Sequence, residues 1–247
     1  MRAAGHIAAL PGEVRIAPDS AAVAGAAAAV LEQLSRAAVA RQGTFSIALA
    51  GGSTPRALYV LLAGDAWRHR FEWSAWRMYF GDERACPPDD LASNYRSARE
   101  TLLDHVPIAR GNVHRMEAER ADLDAAAAEY SALLASSLPA GAGGAPRLDC
   151  VLLGLGENGH TASLFPGTKA LEVRDAWATR GLADYAPYDR MTLTFPTLNA
   201  AAGILFMATG ENKREALRAT AHGDVPASRV QPIDGSLLWL LDSAAAG

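Results

Sequence analysis

The sequence predicts an α/β fold: a doubly wound, mostly parallel sheet with helices on both faces. Three observations carry that expectation. Short apolar runs recur, namely FSIALA at 45–50, WRMYF at 76–80, LDCVLL at 148–153, GILFMAT at 203–209 and SLLWLLD at 236–242. Runs of this length bounded by glycine or polar residues read as strands buried on both faces. Segments with apolar residues at helical spacing separate them, and strand–helix alternation means a parallel sheet. Several runs also end in glycine and then polar residues, where open α/β sheets hold their ligands.

Taken in order, 19–41 is alanine-rich, with Val23, Val30, Leu31, Leu34 and Val39 near helical spacing and Asp19 or Ser20 as cap. The strand 45–50 runs into Gly51-Gly52-Ser53-Thr54-Pro55 and a helix to residue 63, with Thr54 suited to the cap and Pro55 to the first helical position. The strand 76–80 leads into Gly81-Asp82-Glu83-Arg84, a charged loop. Ser93 or Asn94 caps a helix to 105, 112–116 reads as a short strand, and Asp122 caps a helix to 138. PAGAGGAP at 139–146 is a surface loop within one sheet rather than a linker, so 1–247 is expected to be a single domain. Beyond the central strand, 175–182 reads as a strand or an excursion over the site. RMTLTF at 190–195 alternates as a strand does, and 196–199 opens a short helix. The strand 203–209 is followed by Gly210-Glu211-Asn212-Lys213 and a helix to 221.

The loop after LDCVLL carries Gly154, Gly156 and Gly159, then His160, Thr161 and Ser163. GLGENG satisfies G-x-G-x-x-G, but a dinucleotide fingerprint needs a full helix after its third glycine. Here only 160–165 precede Pro166. The glycines instead allow a tight turn and close approach of backbone to a ligand. His160 ordinarily titrates near neutrality and is the candidate general base. Gly52, Ser53 and Thr54 at a helix start form an anion site, because free N–H groups and the helix dipole point outward there. Arg84, Arg190 and Lys213 add cations suited to a phosphorylated ligand. Of 23 basic residues only Lys169 and Lys213 are lysines, so a lysine after a strand suggests a compact point charge.

Composition narrows the rest. With 247 residues and half of them hydrophobic, a sizeable core is within reach. The net charge of −4 and the lack of a basic block argue against nucleic acid as partner. Cys86 and Cys150 stand far apart, which speaks against a disulfide framework or structural zinc and for a reducing, cytoplasmic setting. The N-terminus has no signal-type apolar core, and no uninterrupted apolar run suggests a membrane span. There is no H-E-x-x-H, no clustered His/Cys spacing and no G-x-S-x-G elbow, so no metal or serine nucleophile is expected.

Five segments together resemble the 6-phosphogluconolactonases: ALAGGSTPRALY (48–59), YFGDERACPPDDLASNY (79–95), GLGENGHTASLFPG (154–167), RMTLTFPTLN (190–199) and GENK (210–213). The resemblance implies a Rossmann-type fold like that of glucosamine-6-phosphate deaminase and ribose-5-phosphate isomerase. It implies hydrolysis of 6-phospho-D-glucono-1,5-lactone to 6-phosphogluconate without a metal; separately, a monomer that needs no cofactor is expected. His160 would activate water, with Asp82 beside the reacting end. Gly52, Ser53, Thr54, Arg84 and Lys213 would hold the phosphate, with Arg190 near the substrate. The related deaminase reads F-N-E-P where this chain has Leu164-Phe165-Pro166-Gly167, so its glutamate is missing. One departure concerns the base itself. The family often reads D-G-H where this chain has Asn158-Gly159-His160, and asparagine accepts a hydrogen bond without supplying charge.

Overall fold

The computed structural model describes residues 7–247; the first six, part of the N-terminal stretch expected to lack a leader, lie outside the described residues. The chain opens with β1 (Glu13–Ala17), a strand not anticipated from the sequence. EVRIA lacks an apolar run because the strand sits at a sheet edge, mostly exposed, and pairs only with the last strand. Helix α1 (Ser20–Gln42) starts where Asp19 accepts a hydrogen bond from the Ala22 N–H. It stops at Gly43, which takes the left-handed conformation, φ 78°. By length and composition α1 could cross a membrane. In the fold its Val23, Ala27, Ala28 and Leu31 are fully buried, and it packs on the next helix and the final strand. Small alanines let its backbone lie close to the sheet.

β2 (Phe45–Leu49) is buried throughout. α2 (Ser53–Ala63) begins two residues earlier than a Thr54 cap with Pro55 as first helical residue implies. Gly52 at φ 100° makes the entry, no side chain caps the helix, and Thr54 Oγ1 instead bonds Thr209 Oγ1 at 2.9 Å. A short α3 (Asp65–Arg68) leads to β3 (Trp76–Phe80). GDER is not a solvated loop: Asp82–Arg84 form a strand, β4, in which Asp82 and Glu83 are buried. The expected helix to 105 is shorter, α4 (Asn94–Ala98), continuing as a π-helical turn Arg99–Leu103. The strand expected at 112–116 reduces to a single bridge, Met78 to Val113. α5 (Leu123–Ser137) is capped by Asp122, whose side chain accepts from the Ala125 N–H.

β5 (Cys150–Gly154) precedes the glycine loop. β6 (Ala178–Leu182) and β7 (Asp189–Leu193) form a hairpin, followed by α6 (Phe195–Asn199). β8 (Gly203–Ala208), α7 (Arg214–His222), β9 (Ser236–Asp242) and α8 (Ser243–Ala246) complete the order.

The main sheet is parallel, with strand order β1-β9-β8-β5-β2-β3. The chain places β3 on one side of β2 and β5 on the other. A crevice therefore opens between the carboxyl ends of β2 and β5, the switch point at which such sheets take ligands. Against this sheet lies a second one, antiparallel, in the order β4-β7-β6. The strands carrying Arg84 and Arg190 thus belong to this smaller sheet and not to the parallel one. Gly81 joins the two: its N–H donates to the Leu49 carbonyl (2.9 Å) and its carbonyl accepts from the Leu193 N–H (2.8 Å).

Candidate active site

A cavity of about 480 Å³ occupies that crevice. Gly52, Ser53, Thr54, Asp82, Arg84, His160, Arg190 and Lys213 all line it. The two sheets thus bring together every residue singled out from the sequence. A second hollow of about 900 Å³ lies around Tyr95, His114 and Tyr130. Two of its arginines are matched by carboxylates, Arg115 by Glu119 and Arg120 by Glu129.

The glycine loop after β5 is closed by backbone bonds. Gly156 N–H donates to the His160 carbonyl (2.8 Å), and Gly159 N–H to the Gly156 carbonyl (3.0 Å). Gly159 needs its positive φ of 77° for that turn. Gly156 is required for a different reason: a Cβ there would stand 2.0 Å from His160 Nδ1. The imidazole lies directly over this backbone and stacks on Phe165, with ring centroids 4.0 Å apart. Burial pushes the pKa of His160 down to about 4. Asp82 and Asp184 oppose that shift, and Lys213 and Arg190 add to it. The ring is therefore neutral at pH 7. Nδ1 lies 2.6 Å from Asn158 Oδ1. Nε2 has no protein partner among the described residues.

Asp82 is held rigidly. Ser163 Oγ donates to its Oδ2 (2.7 Å) and Asn94 Nδ2 to its Oδ1 (3.0 Å). Asn94 in turn fits because residue 51 is glycine, where a Cβ would lie 1.8 Å from Asn94 Oδ1. Glu83 points away from the cavity and organises the return of the chain. Its carboxylate accepts from Arg84 N–H, Asn94 N–H, Tyr95 N–H and Ser93 Oγ, at 2.8 to 3.0 Å. Burial raises the pKa of Glu83, while those backbone donors pull it down.

Arg84 and Arg190 stand directly opposite each other in the β4–β7 register. Like charges so placed repel. Arg190 is 1 % exposed, and its pKa is lowered first by burial and then by Arg84. Its Nε and Nη2, and Nε of Arg84, have no hydrogen-bond partner among the described residues. A buried donor left unpaired costs about 1–3 kcal/mol. Arg84 Nη1 donates to the Ala92 carbonyl. Lys213 closes a turn, Glu211–Lys213, and makes no ion pair among the described residues. The uncapped start of α2 adds unpaired backbone donors. Such a set can bind one anion at several points.

A family described as glucosamine-6-phosphate isomerases/6-phosphogluconolactonase matches residues 18–239. The chain belongs to this family. A 6-phosphogluconolactonase from a Nostoc species is 41% identical over 238 residues, 94% of this chain and 96% of that protein. One from a Synechocystis species is 41% identical over 213 residues, 84% of this chain and 86% of its own length. Among solved structures, the 6-phosphogluconolactonase from Trypanosoma brucei superposes with a TM-score of 0.84 at 31% identity, covering 96% of this chain and 98% of that one.

Some residues of this family member's site were not singled out from sequence. Asp184 and Tyr185 lie outside the quoted motifs, and Asn94, within the segment 79–95, was read only as a helix cap. The hairpin loop between β6 and β7 carries Asp184 and Tyr185 to the cavity wall. Tyr185 sits 5.1 Å from the Arg190 guanidinium and 6.3 Å from the His160 ring. Segment 175–182 thus holds a strand, β6, and the loop beyond that strand forms one side of the site. Glu157, whose direction the sequence left open, lines the cavity and accepts a 2.6 Å bond from Asn212 Nδ2.

Proposed function

We propose that this chain, acting as a single domain, is a 6-phosphogluconolactonase that hydrolyses 6-phospho-D-glucono-1,5-lactone to 6-phosphogluconate, as its relatives are named. The observation that carries the reading is the opposed pair Arg84, half-buried, and Arg190, fully buried, whose nitrogens lack partners among the described residues on the same cavity as a neutral imidazole. An anionic ligand would supply the acceptors these guanidiniums lack. The phosphate is held by Arg84, Lys213 and the start of α2 at Gly52, Ser53 and Thr54, with Arg190 beside the sugar.

His160 takes a proton from water through Nε2 as the water oxygen bonds to the lactone carbonyl carbon. Backbone N–H groups of the glycine loop stabilise the oxyanion that forms. The ring C–O bond then breaks, and the imidazolium returns its proton to the departing ring oxygen. One water is consumed, and acid and hydroxyl are released. Asp82, fixed by Asn94 and Ser163, places a negative charge near the imidazolium while it exists. A strained lactone demands little, and a base worth roughly 10²–10⁴-fold is enough. Binding at the remote phosphate provides orientation.

Purified protein should accelerate the decay of freshly made 6-phosphogluconolactone, and His160→Ala should remove about 10²-fold or more of that gain. Arg84→Ala and Lys213→Ala should mainly raise KM. Equal use of the unphosphorylated lactone would overturn the phosphate assignment.

A further inference from the structure

Behind the imidazole stands a chain of two more side chains. Asn158 Oδ1 receives the His160 backbone N–H (3.1 Å) and faces His160 Nδ1 (2.6 Å). At the other end of the same amide, Nδ2 donates to Asp184 Oδ2 at 2.8 Å. We propose that Asp184, acting through the amide of Asn158, is the positioning carboxylate that fixes the proton of His160 on Nδ1 and leaves Nε2 free as the base. This rests on the reading of His160 as the base.

The chemistry of each donor and acceptor settles the arrangement. A carboxylate only accepts hydrogen bonds. Asp184 must therefore face the Nδ2 end of the amide. A backbone N–H only donates, so the end toward His160 must be Oδ1. Oδ1 also only accepts, which places the ring proton on Nδ1. Without Asp184 only the 3.1 Å bond from the His160 backbone N–H would resist a turn of the amide that presents Nδ2 to the ring. That end favours the tautomer with its proton on Nε2, which cannot take a proton from water there. The exposed carboxylate and the backbone N–H together select an amide orientation, and the amide selects a tautomer.

The route also connects separate parts of the molecule. Asn158 belongs to the loop after β5, and Asp184 to the β6–β7 hairpin loop, held where Ala183 N–H donates to the Tyr188 carbonyl (2.7 Å). Charged groups around the ring come from four places: Asp82 on β4, Asp184 on the hairpin loop, Arg190 on β7 and Lys213 after β8. Asp184 alone is linked to the ring through Asn158.

Asp184→Ala, Asp184→Asn and His160→Ala test this in the full chain with 6-phosphogluconolactone, together with ¹⁵N spectra of the His160 ring. Asp184→Ala should lower kcat about tenfold, the kinetic equivalent of one modest hydrogen bond, with KM nearly unchanged. The ring should then show a mixture of tautomers in place of a single Nδ1–H form. Asp184→Asn, whose carbonyl still accepts from Asn158, should recover most of kcat and the single tautomer. Unchanged kcat and an unchanged tautomer in Asp184→Ala, beside an inactive His160→Ala, would overturn the positioning role alone. Full turnover in His160→Ala would overturn the base assignment and this inference with it.

Discussion

Burial and a neutral neighbour together set what His160 does. Its pKa, pushed down to about 4 by loss of solvent, keeps the ring unprotonated through neutrality. For a base, activity is present above the pKa and lost as pH falls through it. The acid limb of kcat/KM should therefore lie below pH 5, read from an initial-rate profile. Asn158→Asp would set a charge against Nδ1 and favour the imidazolium, so the limb should move toward neutrality. Gly156→Ala puts a methyl where the ring now lies, and kcat should fall more steeply than thermal stability. At this scale the sequence was informative wherever chemistry follows a strand directly, as at His160, Arg84 and Lys213. Asp184 and Asn94 carried no such mark, because what matters about them is a partner distant in the chain. Gly156 was visible as a glycine, but its reason, the ring above it, exists only in the folded loop.

Among the elements, β4 shows why short strands escape a pattern reading. Three residues cannot display an alternation, and Asp-Glu-Arg looks like a solvated turn. Its pairing with β7, far along the chain, makes it a strand and buries Asp82 and Glu83. Glu83 then serves the next element by accepting the first backbone donors of the segment entering α4. Glu83→Ala leaves those donors unpaired and should cost about 2–4 kcal/mol of unfolding free energy in a denaturant titration, above the usual single-bond figure because several bonds go at once. KM should rise alongside, since the contact of Arg84 with the Ala92 carbonyl lies in the loop that Glu83 organises. The long helices were legible for the opposite reason. Asp19 and Asp122 cap them, and their helical spacing persists over several turns.

The whole molecule is a parallel sheet with a smaller antiparallel one set against the edge where the cavity opens. Alternation of strands and helices announced the first. Of the second, the strand at 190–195 showed its alternation and 175–182 was read as a strand or an excursion, but the pairing with β4, about a hundred residues earlier, had no local mark. β1 also escaped notice, because an exposed edge needs no apolar run. The sheet core is aromatic where β8 meets β9: Phe206 and Trp239 stack in parallel at 3.9 Å. Trp239→Ala should cost about 3–5 kcal/mol, which calorimetry would read as a melting point lower by roughly 10 °C. KM of the remaining folded enzyme should be unaffected, since neither ring lines the cavity.

The β6–β7 hairpin delivers Asp184, Tyr185 and Arg190 in one uninterrupted stretch. It is thus an exchangeable cassette. On the proposed reading of the site, a different hairpin would retune which anion is bound while the imidazole stayed on its own loop. The cassette also holds the far end of the amide tether, Asp184 against Asn158, so a substitution at either position changes the surroundings of the other. If Asp184 positions the ring as proposed, a variant that acquires aspartate at 158 would be released from keeping a carboxylate at 184, and a graft that ignores this dependence would bind its ligand and turn it over slowly.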